Sequence, residues 1–166
     1  VRYISNDSSG KMGYALAEDA VKKGAEVILI SATTTLPVPK GVKIEYVESA
    51  RDMQEKVLNH FSLVDIAIMV AAVSDYRVKE PATKKMKKTD DEDEITLTLV
   101  KNPDILKQLG SLKKEGQIVI GFAAETHQVI EFAKQKLMKK NADFIIANDV
   151  SDHSIGFGAD MHQVTI

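Results

Sequence analysis

The 166-residue chain contains no cysteine, which excludes disulfides, thiolate nucleophiles and cysteine zinc sites and fits a reducing compartment. No apolar run approaches the roughly 20 residues that a membrane-spanning helix needs, and no secretory leader opens the sequence. The expectation is therefore a cytoplasmic protein without a membrane partner. The formal net charge is −2, so no global basic field draws in nucleic acid, and any anion site has to be local. Four histidines, His60, His127, His153 and His162, lack metal-ligand spacing and read as non-ligands. There is no internal repeat and no initiator methionine.

What is present is an ordinary globular composition, 44% hydrophobic and 28% charged, at a length suited to one domain with a real core. Short β-rich runs alternate with helical stretches. "AEVILIS" (25–31), "VDIAIMVAA" (64–72), "QIVIGFAA" (117–124) and "ADFIIAND" (142–149) are nearly continuous apolar runs, as in strands buried on both faces of a parallel sheet. "VKIEYVES" (42–49) reads as a shorter strand, and "EITLTLV" (94–100) alternates like an edge strand. Helices are expected over 9–23, over 50–61 behind the Ser49/Asp52 cap pair, over 104–113 and over 128–140. The pattern predicts a Rossmann-like, doubly wound α/β fold with a mainly parallel sheet, helices on both faces and a long lid loop. The first helix has no strand before it, and "MHQVTI" stops as though a strand had begun. Residues 1–166 are thus expected to be a single domain truncated at both termini.

Ligands in such sheets bind outside the carboxyl ends of the strands, and the polar motifs gather there. "SNDSSGKMGYALA" (5–17) resembles the entrance to an anion-binding helix, with Asn6, Ser8 and Ser9 before Gly10, Lys11 and Gly13. It is neither a Walker loop, because Met12 follows the lysine, nor a dinucleotide fingerprint, because Ser8 stands where a glycine is needed. A capped helix packed on the sheet explains it as well. "AAVSDYR" (71–77) places Asp75 and Arg77 at the mouth of the sheet, where a carboxylate could hold Mg²⁺ beside phosphates or simply close an Asx-turn. Lys79, Lys84, Lys85, Lys87 and Lys88 sit on a loop of about 20 residues, a length typical of lids, although such runs are also ordinary solvated surface. "KNPDIL" (101–106), "GFAAET" (121–126) and "ANDVS" (147–151) each admit a structural reading as well. Their shared position on one sheet edge is what capping alone would not require.

In order and spacing, "VRYISNDSSGKMGYALA", "AAVSDYR", "KKMKK", "VKNPDIL", "GFAAET" and "ANDVS" resemble phosphopantothenoylcysteine synthetase. This is the ligase of coenzyme A biosynthesis and in many bacteria the second half of a bifunctional flavoprotein. The resemblance implies a CTP-dependent ligation of 4′-phosphopantothenate with L-cysteine, with Mg²⁺ and no flavin in this chain. It implies Lys85 as the lid lysine, with Lys84 the competing assignment. Asn6 would hold the acyl-cytidylate, Arg2 would support it or the substrate phosphate, and Asp75 would organise the metal and triphosphate. Ala71, Asn102, Pro103, Asp104, Ile105, Phe122, Lys136 and Lys140 match positions that contact the nucleotide. Lys136 and Lys140 stand one helical turn apart on one face. The resemblance further implies a homodimer, a separately encoded or fused decarboxylase, and a glycine-rich loop before Val1. Its rivals are an NAD(P)-dependent reductase of Rossmann type and a non-catalytic nucleotide-binding module. Bacterial style in "SSGKMG" and "KNPDIL" favours CTP over ATP.

Overall fold

The computed structural model describes residues 4–84, 94–125, 127–149 and 164–166. In chain order these form α1 (Lys11–Lys22), β1 (Ile28–Ala32), β2 (Lys43–Val47), α2 (Ala50–Phe61), β3 (Ile66–Met69), β4 (Tyr76–Val78), β5 (Leu99–Lys101), α3 (Ile105–Leu112), β6 (Ile118–Glu125), α4 (Val129–Lys140), β7 (Phe144–Asp149) and β8 (Val164–Thr165). The α/β class with a mainly parallel sheet is borne out. β1 pairs β2 in parallel, and β3, β6 and β7 form a parallel ladder that β8 closes antiparallel.

The helices start where their caps put them. At α2 the Ser49 side chain accepts from the Asp52 N–H while the Asp52 carboxylate accepts from the Ser49 N–H, a reciprocal capping box. At α3 Asp104 is the N-cap and accepts from the Lys107 N–H at 3.0 Å. α1 begins two residues later than its periodicity suggests, because Gly10 occupies the left-handed region (φ 74°) and turns the chain there. Ser8 and Ser9 accept from the N–H groups of Gly10 and Lys11.

The core lies between β3–β6–β7 and helices α2 and α3, built from Met53, Phe61, Ile105, Leu106, Leu109, Val119, Ala123 and Ile145, with Val47 joining from β2. Leu109 and Val119 are fully buried. Gln117 ties the lower edge together, its Nε2 donating to the carbonyls of Phe61 (2.8 Å) and Val64 (2.7 Å) and so satisfying an orphan carbonyl at the end of α2.

The structure corrects two expectations. The run 64–72 is a strand only over Ile66–Met69, and it is not buried on both faces: Ala67 and Met69 pack on the core, whereas Ile66 and Ile68 are about half exposed. Among the described residues β3 has a ladder partner on one edge only, β6. The run 94–100 contributes strand only at Leu99–Lys101, which pairs antiparallel with β4. β4 itself falls in what reads from sequence as a loop.

Candidate active site

Four carboxyl-edge segments converge through hydrogen bonds. The Asn6 amide reaches the Val73 carbonyl at 3.4 Å, linking the loop before α1 to the loop after β3. Asn102 donates from its side chain to the Ser74 carbonyl (2.8 Å) and from its backbone to the Asp75 carbonyl (2.8 Å). Arg77 crosses the β4–β5 pair to bond the Lys101 carbonyl and the Asn102 side-chain oxygen. Asn102 is thus a strut between the Ala71–Asp75 loop and the start of α3. Ala71 and Asp75 are exposed on that loop, and no described residue hydrogen-bonds the Asp75 carboxylate. The Asx-turn reading of Asp75 therefore has no hydrogen bond to rest on.

Opposite lies the face of α4. Side chains on a helix lean toward its N-terminus, which for α4 is the carboxyl edge of the sheet, so Lys136 and Lys140 are aimed at that edge from below. Lys136 Nζ donates to the Phe122 carbonyl at 2.7 Å, and Lys140 Nζ pairs with the Asp104 carboxylate. Burial, and then the neighbouring Lys140 charge, lower the Lys136 pKa, while Glu125, Asp104 and Asp75 oppose the shift. Burial works to raise the Asp104 pKa, but Lys140 and the Lys107 N–H outweigh it and hold the carboxyl below its usual range.

Among the sequence-derived site residues, Asn6, Ala71, Asp75, Asn102, Pro103, Asp104, Phe122, Lys136 and Lys140 are therefore brought to one edge. Ile105 is there by its backbone alone, since its side chain is buried in the core. Phe122 is half-buried. Arg2 and Lys85 lie outside the described residues; Lys84 is described and exposed. Arg77 emerges as a support that bridges two site segments. Without the family resemblance, Lys136 and Lys140 read from sequence as ordinary helix-end lysines.

The arrangement gathers two amines, a helix N-terminus at α3 and the exposed Asp75 carboxylate around one rim, a charge pattern suited to a polyanion and a cation together. The DNA/pantothenate metabolism flavoprotein C-terminal domain model matches residues 1–166. The chain belongs to this family. The resemblance read from the motifs is borne out by its relatives. The coenzyme A biosynthesis bifunctional protein CoaBC of Bacillus subtilis is 52% identical over 167 residues, covering 100% of this chain and 40% of that protein. The chain thus spans about two fifths of the length of the curated relatives it matches. The crystal structure of the C-terminal domain of a CoaBC protein superposes with a TM-score of 0.78 at 49% identity, covering 90% of this chain and 69% of that one. A Cab2 variant solved with phosphopantothenate-cysteine shares the fold, with a TM-score of 0.71 at 17% identity over 91% of this chain and 67% of that one. Among the described residues no helix is long and apolar enough to cross a membrane, and no group of three or more His, Cys, Asp or Glu could hold a metal ion.

Proposed function

We propose that this chain carries the ligase that joins 4′-phosphopantothenate to L-cysteine, using CTP, in coenzyme A biosynthesis. The observation that carries the reading is the convergence of Lys136, Lys140 and the Asp104-capped start of α3 at one rim with Asn6 and Asp75. It is reinforced by 52% identity to a CoaBC protein along the whole chain.

In the first step a substrate carboxylate oxygen bonds to the α-phosphorus of CTP, the bridging P–O bond breaks, and pyrophosphate leaves with the electron pair. In the second the cysteine amine attacks the acyl carbon, CMP departs and the nitrogen loses its proton. A carboxylate is a poor nucleophile toward a polyanion, so cations must offset charge and align the reactants. Lys136 and Lys140 hold the nucleotide; Lys85 is assigned the charge that develops in the first step, with Lys84 as its competitor. Asn6, already aimed across at the Val73 carbonyl, holds the acyl-cytidylate for the second step, supported by Arg2.

A single exposed carboxylate fits Mg²⁺, which keeps several waters and is bound largely by phosphates. Asp75 would hold it, and the ion would neutralise phosphate charge. The apolar face exposed along the β4–β5 pair, with Tyr76, Leu97 and Leu99, is assigned to a homodimer whose phosphopantothenate site draws on both subunits. A phosphopantothenoylcysteine decarboxylase, fused or separate, would consume the product, and the cytoplasm is where both would work.

The test mixes the protein at its native length with CTP or ATP, Mg²⁺, phosphopantothenate and cysteine, and follows pyrophosphate release. CTP-dependent release supports the reading. Tight NAD(P)H binding without nucleotide-dependent turnover would replace it with a reductase.

A further inference from the structure

We infer that Asn141 is a positioning residue for the nucleotide lysines, setting where Lys136 and Lys140 stand; this rests on the nucleotide-binding reading above. Asn141 ends α4 in the left-handed region, with φ 50°. Its side-chain amide donates to the Gly110 carbonyl at 2.7 Å. That carbonyl belongs to the last turn of α3, where the intrahelical acceptors run out of partners. One residue therefore stops α4 with its backbone and completes α3 with its side chain.

The two helices meet here backbone to backbone. A Cβ on Gly110 would fall 1.9 Å from the Lys140 carbonyl oxygen and 2.9 Å from that of Asn141. Nothing can stand between the helices at this level, so the Cα of Lys140 is fixed against α3. From that point its side chain runs toward Asp104, six residues before Gly110 along α3, which is about 9 Å of helix rise. This takes most of the reach of an extended lysine and a short aspartate arm, so a small outward drift of the end of α4 breaks the contact. Lys136, one turn earlier on the same face, moves with it, and its bond to the Phe122 carbonyl is lost as well. The amide of Asn141 touches neither reactant position; it acts through the helix end.

The variant Asn141→Gly keeps the left-handed turn at no steric cost and deletes only the amide. It is compared with Gln117→Ala, which removes the tie to Phe61 and Val64 at the same amino-terminal edge of the sheet but on the α2 side, and with Lys140→Met. The readouts are melting temperature, the CTP dissociation constant by calorimetry, and the KM for cysteine at saturating CTP, all on the native-length protein. Asn141→Gly should weaken CTP by about fivefold or more, the scale of one impaired charge-assisted hydrogen bond, and leave the cysteine KM unchanged. Gln117→Ala should lower the melting temperature and leave both constants alone. If Asn141→Gly lowers only the melting temperature, as Gln117→Ala does, Asn141 is a helix cap and nothing more. If Lys140→Met leaves CTP binding intact, the nucleotide reading itself fails, whatever Asn141 does.

Discussion

Two clusters of charge in this molecule are built on opposite terms. On the β2–α2 side, Glu45 sits between Lys56 (3.1 Å) and His60 (2.9 Å), and these partners, Lys56 foremost, hold its carboxyl below the usual range. Its charge is met within the fold. On the β6–α4 side, Lys136 is half-buried, bonded to a neutral carbonyl and repelled by Lys140 one turn away. Holding that amine there is costly, through burial first and the Lys140 charge second, and the cost appears as the lowered pKa. A site that has to receive a polyanion gains from this, because the ligand supplies what the fold withholds. A satisfied cluster such as Glu45–Lys56–His60 has nothing left to offer a ligand.

The sharpest way to break this comparison is to delete one cation from each cluster. Lys136→Met should weaken CTP binding by more than tenfold, yet leave the melting temperature unchanged or higher, since a desolvated charge is replaced by an apolar chain of similar length. Lys56→Met should do nothing to CTP. A large loss of stability in Lys136→Met without loss of CTP binding would make that lysine structural.

Asp104 is next in size, because it serves both as the cap of α3 and as the partner of Lys140. Asp104→Ala should cost about 1–2 kcal/mol in denaturant unfolding, as for a lost N-cap with a lost partner, and also weaken CTP. Ser49→Ala at α2 should cost about 1 kcal/mol with CTP binding intact. Equal behaviour of the two caps would erase the distinction between the clusters.

The pKa shifts give two smaller tests of opposite sign. The Lys136 pKa is lowered by folding, so the protonated amine is disfavoured in the folded protein; stability is regained as pH rises from the folded value toward the ordinary lysine value of 10.5. A bound polyanion restores the proton, so CTP binding at alkaline pH should take up protons, visible as a calorimetric enthalpy that varies with buffer ionisation, and Lys136→Met should abolish the effect. The Glu45 pKa is lowered below 4.5. Its contribution is present above that value and is lost as pH falls through the folded one. Glu45→Gln should therefore lower stability slightly from neutral pH upward and flatten the acid limb of the profile, because the contribution that acid removes is already gone.

Much of the scaffold was legible because its signals are local. Ser49 with Asp52 marks the start of α2, Asn102-Pro103-Asp104 marks α3, and the apolar runs mark β6 and β7. β4 was hidden, since three residues, Tyr76–Val78, carry no period, and their pairing with Leu99–Lys101 is a contact across twenty residues of chain. Exposure of Ile66 and Ile68 was equally invisible, because continuity of apolar residues does not say which neighbours a strand has. At the site, Asn6, Asp75, Asn102 and Asp104 were readable as polar groups at strand ends. Lys136 and Lys140 needed the family resemblance, and Asn141 with Gly110 had no sequence signal: their meaning is an interhelix distance, which only the tertiary structure supplies.

Among the described residues β1–β2 and β3–β6–β7–β8 are separate ladders. α1 lies across the division: Tyr14 Oη donates to Ser31 Oγ (3.3 Å) on one side, while Gly13 faces Val70 on the other. Amide hydrogens should therefore exchange with deuterium in two tiers. β6, flanked by ladder partners on both edges, would open only with the whole fold, and β1 and β2 would open earlier as a smaller cooperative unit. α1 would record the change between the tiers, its inward residues exchanging at whichever rate belongs to the ladder that lets go first.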